Sequence, residues 1–324
     1  MEENASNLRR RLAALLLVGS LGACGDTPQT PPPSSEAVTP MPAKTATPSG
    51  TTIAVGADPH RLDVGEGSVW VANGGADSVS RIDLATQAVV ATVNVGSSPL
   101  SVAVGEGSVW VANNLGDSVS RIDPRTNRAV QRIAVGKAPR GVAVGAGSVW
   151  VTVGKLDELV RIDPSTGEVV KRVKGVVSPA QVAVEAGSVW VTSRDANVVT
   201  RIDSRTNRIV ATIDVGHPTI ALSATADAVW VAGASAPVAT RIDPKTNAVA
   251  AQIPVPANSW GLTQGEDAVW LTSNGENTVA RIDSVSNRIV EVLPVGMGPV
   301  GATLSDGVLW VANEGASTVS RIER

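Results

Sequence analysis

Trp stands at positions 70, 110, 150, 190, 230, 270 and 310, and the 40-residue spacing never slips. Eleven residues after each of these Trp comes an Arg: Arg81, Arg121, Arg161, Arg201, Arg241, Arg281 and Arg321. Ile and then Asp follow each Arg, with Glu323 replacing the Asp in the last copy. A repeat this regular decides the fold before any motif is weighed. Each unit is too small to bury its own apolar surface and must stack on its neighbours.

One copy reads as four short strands. In Gly141–Lys174, Gly141–Val144 is strand a, Gly145–Gly147 turns the chain, and Ser148–Val153 around Trp150 is strand b. A loop through Lys155 and Asp157 leads to strand c, Leu159–Ile162. Asp163–Gly167 is a turn, with Pro pre-setting φ and Gly free to take positive φ. Glu168–Lys174 is strand d, and no stretch carries a helical period. Four antiparallel strands in 40 residues make one propeller blade. Strands a and b are apolar on both faces, as a sheet sandwiched between sheets requires. Strand d carries the charges (Gln131 and Arg132, or Lys171, Arg172 and Lys174), which suits an exposed outer edge. The chain stops at Arg324, after strand c of the seventh copy, while Thr52–Gly56 is in phase with Arg132–Gly136. Residues 51–56 should therefore supply the missing outer strand. The expected fold is an all-β, seven-bladed propeller over residues 51–324, closed by an N-terminal strand that completes the last blade.

Composition narrows the function classes. With 27 Lys+Arg against 30 Asp+Glu the net charge is −3, which provides no basic field for nucleic acid. Phe and Tyr are absent, so Val, Ile, Ala and Trp must fill the core. The single Cys24 excludes an intrachain disulfide framework and a multi-thiolate metal site. Arg9–Arg11 precede a 12-residue apolar run, Leu12–Ala23. Such a run is too short to span a bilayer, which needs about 20 apolar residues, and fits the apolar part of a secretory signal. Residues 24–50 form a Pro/Ser/Thr-rich tether that cannot bury a core and reaches up to ~80 Å when extended.

Two resemblances follow from these residues. Leu21-Gly22-Ala23-Cys24 resembles the lipobox of bacterial lipoproteins. That implies removal of residues 1–23, lipidation of Cys24, and an extracytoplasmic, membrane-anchored place in a bacterial envelope. Trp150-Val151-Thr152 and Trp190-Val191-Thr192 resemble the YVTN class of 40-residue propeller repeats, and Trp70–Asn73 and Trp110–Asn113 keep its final Asn. NHL-type propellers and the streptogramin (virginiamycin B) lyases are similar in repeat length and strand rhythm. These likenesses imply a fold, and function does not follow from fold.

Recurrent columns read as structure. Each Trp should pack between blades, and each Arg should lie along a Trp or pair with the Asp two residues on. Asp77, Asp117 and Asp157 read as turn residues. Function belongs where the copies differ, in the d–a and b–c loops that share one rim. His60, Arg61 and Asp63 replace Leu100, Ser101 and Ala103 of the second copy. Asn73, Asn113 and Asn313 share a slot at the end of strand b, in three blades made contiguous by ring closure. Arg140 and Glu314 border this sector, and Arg194 lies in a variable b–c loop. Trp260, outside the Trp column, is a candidate anchor on the opposite side. Against these readings stand solvated loop residues at the seam for His60 and Arg61, and local packing for Trp260.

The lyase resemblance implies a His general acid/base, a partner Glu and a divalent metal. His60 and His217 lie at different slots of separated blades, neither with a carboxylate at ligand spacing, and His217 reads as a surface residue. No Ser-His-Asp order, P-loop or dinucleotide fingerprint is present. The expectation is a monomeric, non-enzymatic binding or scaffolding propeller with no cofactor. Its variable-loop face would take a protein or small polar ligand. The alternative is a metal-dependent lyase or hydrolase on the same rim.

Overall fold

The computed structural model describes residues 50–265 and 267–324. The signal segment, Cys24 and the tether up to residue 49 lie outside the described residues.

Each repeat folds into a four-stranded antiparallel sheet, and there are seven of them. In blade 1, strands a to d are Pro59–Gly65, Ser68–Asn73, Ser78–Asp83 and Val89–Asn94. The a–b hairpin turns on Glu66 and Gly67, with φ of 53° and 67°. Positive φ at both central residues matches the right-handed twist of the flanking strands. The c–d turn is built by Asp83, whose Oδ1 accepts the N–H groups of Ala85 and Thr86. The a–b pair recurs in blades 2, 3, 4 and 7 and the Asp turn in blades 2 to 6, which keeps the lower-rim turns monotonous.

Strand a contacts strand a of the next blade, so the first strands gather around the axis. Strand b lies inside its sheet and between two neighbouring sheets, and all six residues of Ser68–Asn73 are buried. In strand d only Val93 is buried. Strand a begins earlier than the sequence suggests, at Pro139 in blade 3, because a bulge between Pro139 and Val142 interrupts the apolar pattern.

The seven column Trp side chains are buried to 3% exposure or less. Trp110 of blade 2 packs with Val142, Val149 and Val151 of blade 3, so the rings join neighbouring blades. Each column Arg lies over the Trp of its own blade, 4.8–6.0 Å from the ring centroid. It does not pair with the Asp two residues on, except in the Arg321–Glu323 contact. Those Asp side chains are taken by the turn, and in blades 1, 3, 4 and 5 the guanidinium reaches the next blade instead. Arg81 Nη1 donates to Pro124 O and Asn127 Oδ1, and Arg201 repeats this with Pro244 and Asn247.

Thr51–Ala54 pairs antiparallel with strand c of blade 7 (Thr318–Glu323), Thr51 opposite Arg321 and Ala54 opposite Thr318. Ile53 joins Trp310 and Val319 in the core of that blade. Chain start and chain end thus complete one sheet, as the phase of the repeat requires.

Candidate functional site

The d–a and b–c loops meet on one rim. Asp77, at φ 49°, accepts the N–H of Ser98 at its Oδ1, and Asp117 and Asp157 accept those of Ala138 and Ser178 in the same way. These three acids are turn residues that lock each b–c loop to the next d–a loop. Because strand a starts early, His60, Arg61, Arg140 and Trp260 are strand residues at the channel mouth rather than loop residues.

The Asn trio is not part of a ligand surface. Asn73, Asn113 and Asn313 are wholly buried. Asn73 Nδ2 donates to Ser78 Oγ at 3.2 Å and Ser80 Oγ at 2.9 Å, and the other two repeat the arrangement. Each amide lies under a glycine of the d–a loop: a Cβ on Gly56, Gly96 or Gly296 would come within 2.7 Å of it. The loop closes over the polar group and shuts it from solute. His217 is likewise buried rather than on the surface. Blade 5 has Gly233 where the Asn would be, and the imidazole fills that room, its Nε2 2.9 Å from Thr240 Oγ1.

Asp63 and Arg61 do not pair. Asp63 Oδ1 accepts the N–H of Val64 and Oδ2 that of Val104 in blade 2. Burial pushes its carboxyl up to about 6 against those hydrogen bonds. Arg61 crosses the central channel instead, and its Nη2 donates to Ile220 O of blade 5 at 3.0 Å. Burial lowers its guanidinium to about 10.

Ring closure brings Glu314 of blade 7 to His60 of blade 1, with Oε1 3.8 Å from Nε2. The two side chains are 37% and 24% exposed, so the pair is open to a ligand. Burial, then the charge of Arg61, lower the His60 pKa, while Asp58 opposes. Burial, then Asp58, raise that of Glu314. At neutral pH the imidazole is a free base. Arg140 belongs to a separate cluster: burial and the charge of Arg194 lower its pKa, and Asp195 raises it. Asp195 Oδ2 in turn accepts the hydroxyl of Ser178. Trp260 is half-buried at the His60 slot of blade 6, so it lies on the same rim two blades from His60 and not across from it.

Two features of this rim carry no signal in the sequence. Leu115, Leu156, Val177 and Met297 are 73%, 45%, 49% and 58% exposed, all in d–a or b–c loops. They were hidden because single apolar residues in loops carry no period. The His60–Glu314 and Arg61–Ile220 contacts link residues far apart in the chain, beyond the reach of spacing.

The divalent metal that the lyase resemblance implies does not fit the residues present. Among the described residues no group of three His, Cys, Asp or Glu side chains could hold one. The His60–Glu314 pair has Arg61, a cation, as its neighbour.

Fold and rim together define a seven-bladed propeller with a polar channel mouth. Residues 129–324 match the Virginiamycin B lyase family, and the chain belongs to it. Three solved structures are similar, each with a TM-score of 0.74. Hydrazine synthase of Kuenenia stuttgartiensis is 19% identical, covering 82% of this chain and 96% of that one. A streptogramin B lyase is 17% identical, with 84% and 96% covered. Virginiamycin B lyase from Staphylococcus aureus is 19% identical, with 85% and 98% covered. At such identities the likeness carries the fold and not the activity. No curated protein matches the sequence.

Proposed function

We propose that this chain is an envelope-anchored, non-enzymatic propeller that binds a partner through its upper rim. One observation carries the reading. Of the five exposed large apolar residues outside the strands among the described residues, four lie on the upper rim, that of the d–a and b–c loops (Leu115, Leu156, Val177, Met297), and one, Val285, on the lower. Exposed apolar side chains on the same rim as the exposed cations Lys137, Lys155 and Arg194 are the composition of an interaction surface. The lipobox resemblance at Cys24 supports the anchoring, and Cys24→Ser should release the chain from the detergent phase. The rim is tested with a photo-crosslinking residue placed at Leu115 or at Val285 in the anchored chain. The reading expects a discrete adduct from Leu115 only; adducts from Val285 alone would overturn it.

A second reading, a lyase on the same rim, is favoured by the His60–Glu314 contact. It pairs a neutral imidazole with a carboxylate, as a general base and its orienting acid would be paired. Turnover of a streptogramin lactone that disappears in His60→Ala, at unchanged melting temperature, would establish this reading over the first.

A further inference from the structure

We propose that the central channel binds a small oxyanion, a carboxylate or a phosphate, at the level of Arg61. The inference goes beyond the rim reading and does not depend on it. At this level of strand a the other six blades carry Ser101, Gly141, Gln181, Ala221, Gly261 and Gly301. Only blade 1 places a charge there. Apart from Gln181 these side chains are small, and the guanidinium crosses to blade 5.

Arg61 makes one hydrogen bond, to Ile220 O, and no carboxylate comes within ion-pair distance of it among the described residues. A guanidinium has five N–H donors, so most are unspent. Taking a cation out of bulk water without a counter-ion is costly, and an oxyanion on the fork-shaped donors offsets that cost. The neighbouring groups on strand a do not pair with it. His60 is neutral or cationic, and both oxygens of Asp63 are held by backbone N–H groups.

The channel wall already holds one carboxylate. The closing pair Gly105–Ser108 fixes the a–b register, so alternate N–H groups of strand a face away from strand b. Val104 gives its N–H to Asp63, and Val142 gives its own to Ser101 Oγ. In the same register Val182 and Leu262 have Gly141 and Ala221 where Val142 has Ser101. Their N–H groups therefore meet no neighbouring side-chain hydroxyl. A cation without a counter-ion, on a channel wall whose strand-a N–H of Val104 already holds a carboxylate, forms an anion site.

The test is calorimetric titration of the full chain with sodium phosphate, and separately with sodium acetate, at fixed ionic strength in chloride. Saturable one-site binding of at least one probe is expected; the phosphate and acetate arms separate the two chemistries. Arg61→Gln is shorter, stays polar and removes the charge with the guanidinium fork, and should weaken binding tenfold or more in a protein that still melts cooperatively. Should that variant fail to fold, the Arg61 side-chain ¹⁵N resonances of the unaltered chain serve in its place and should shift on titration. Absence of binding, equal affinity in Arg61→Gln, or unmoved Arg61 resonances would each overturn the site. Crosslinking from Leu115 reads the rim independently, so failure of one proposal leaves the other standing.

Discussion

Single residues in this propeller are governed by what the neighbouring loop leaves room for. Asn73 is polar because it must bond Ser78 and Ser80, and buried because Gly56 lets the d–a loop descend onto it. Its slot was legible in the sequence and its role was not. A polar residue shared by blades 7, 1 and 2 reads as a mouth until the glycine 17 positions earlier in each is noticed. Asp63 is the informative exception, a carboxyl where blades 2, 3 and 4 have Ala103, Ala143 and Ala183. Its native pKa is raised to about 6, so the native state holds the proton more tightly than the unfolded chain. The contribution is fully present below the unfolded value of 3.8 and is lost as pH rises through about 6. Asp63→Ala, which restores the residue of the next three blades, should therefore gain stability relative to the parent as pH rises from 4 to 7. The swing is at most about 3 kcal/mol, at 1.36 kcal/mol per unit. Urea midpoints of both proteins across that range check the sign; a difference that falls with pH would contradict it.

At the scale of the strand and turn, the Arg column decides how blades are tied below the core. A guanidinium over its own Trp is worth roughly 0.5–2 kcal/mol, and its second contact, to the next c–d turn, adds a neighbour bond. The tie needs Asn in left-handed geometry, as at Asn127, Asn207, Asn247 and Asn287 with φ of 53–59°. Blade 3 has Gly167 there, at φ 73°, and Arg121 keeps only its bond to Ser108. The column was legible from the 40-residue repeat, whereas its partner was not, because the bond joins residues 46 apart in different blades. Gly167→Asn should install the missing tie and also reduce the freedom of the unfolded chain. Its Cβ would meet the amide of Gln131 at 2.2–2.5 Å, the end of a flexible side chain that can swing away from Thr166 O. The net expectation is a gain of about 0.5–1 kcal/mol by chemical denaturation. A loss of stability would mean that Gln131 cannot move.

Over the whole molecule, a closed ring turns sequence distance into proximity. The periodic columns carried the architecture, including the offset between the missing strand d of blade 7 and the surplus strand at Thr51–Ala54. Contacts across the seam or the channel have no such period, which is why Glu314 beside His60 and Ile220 beneath Arg61 emerge only from the folded ring. Closure also makes stability a property of the circle. Deleting residues 1–57 removes Ile53 from the core around Trp310 and bares the edge of strand c, with Val319 and Ile322 behind it. An unpaired edge invites another chain. Deleting residues 1–44 leaves every described strand in place. Burying one Ile side chain is worth about 1.5–3 kcal/mol before the four-residue ladder is counted. The longer deletion should therefore unfold at clearly lower denaturant and associate in sedimentation, while the shorter stays monomeric near the parent midpoint. If the two truncations unfold together, the seam contributes nothing, and the seventh blade stands on three strands.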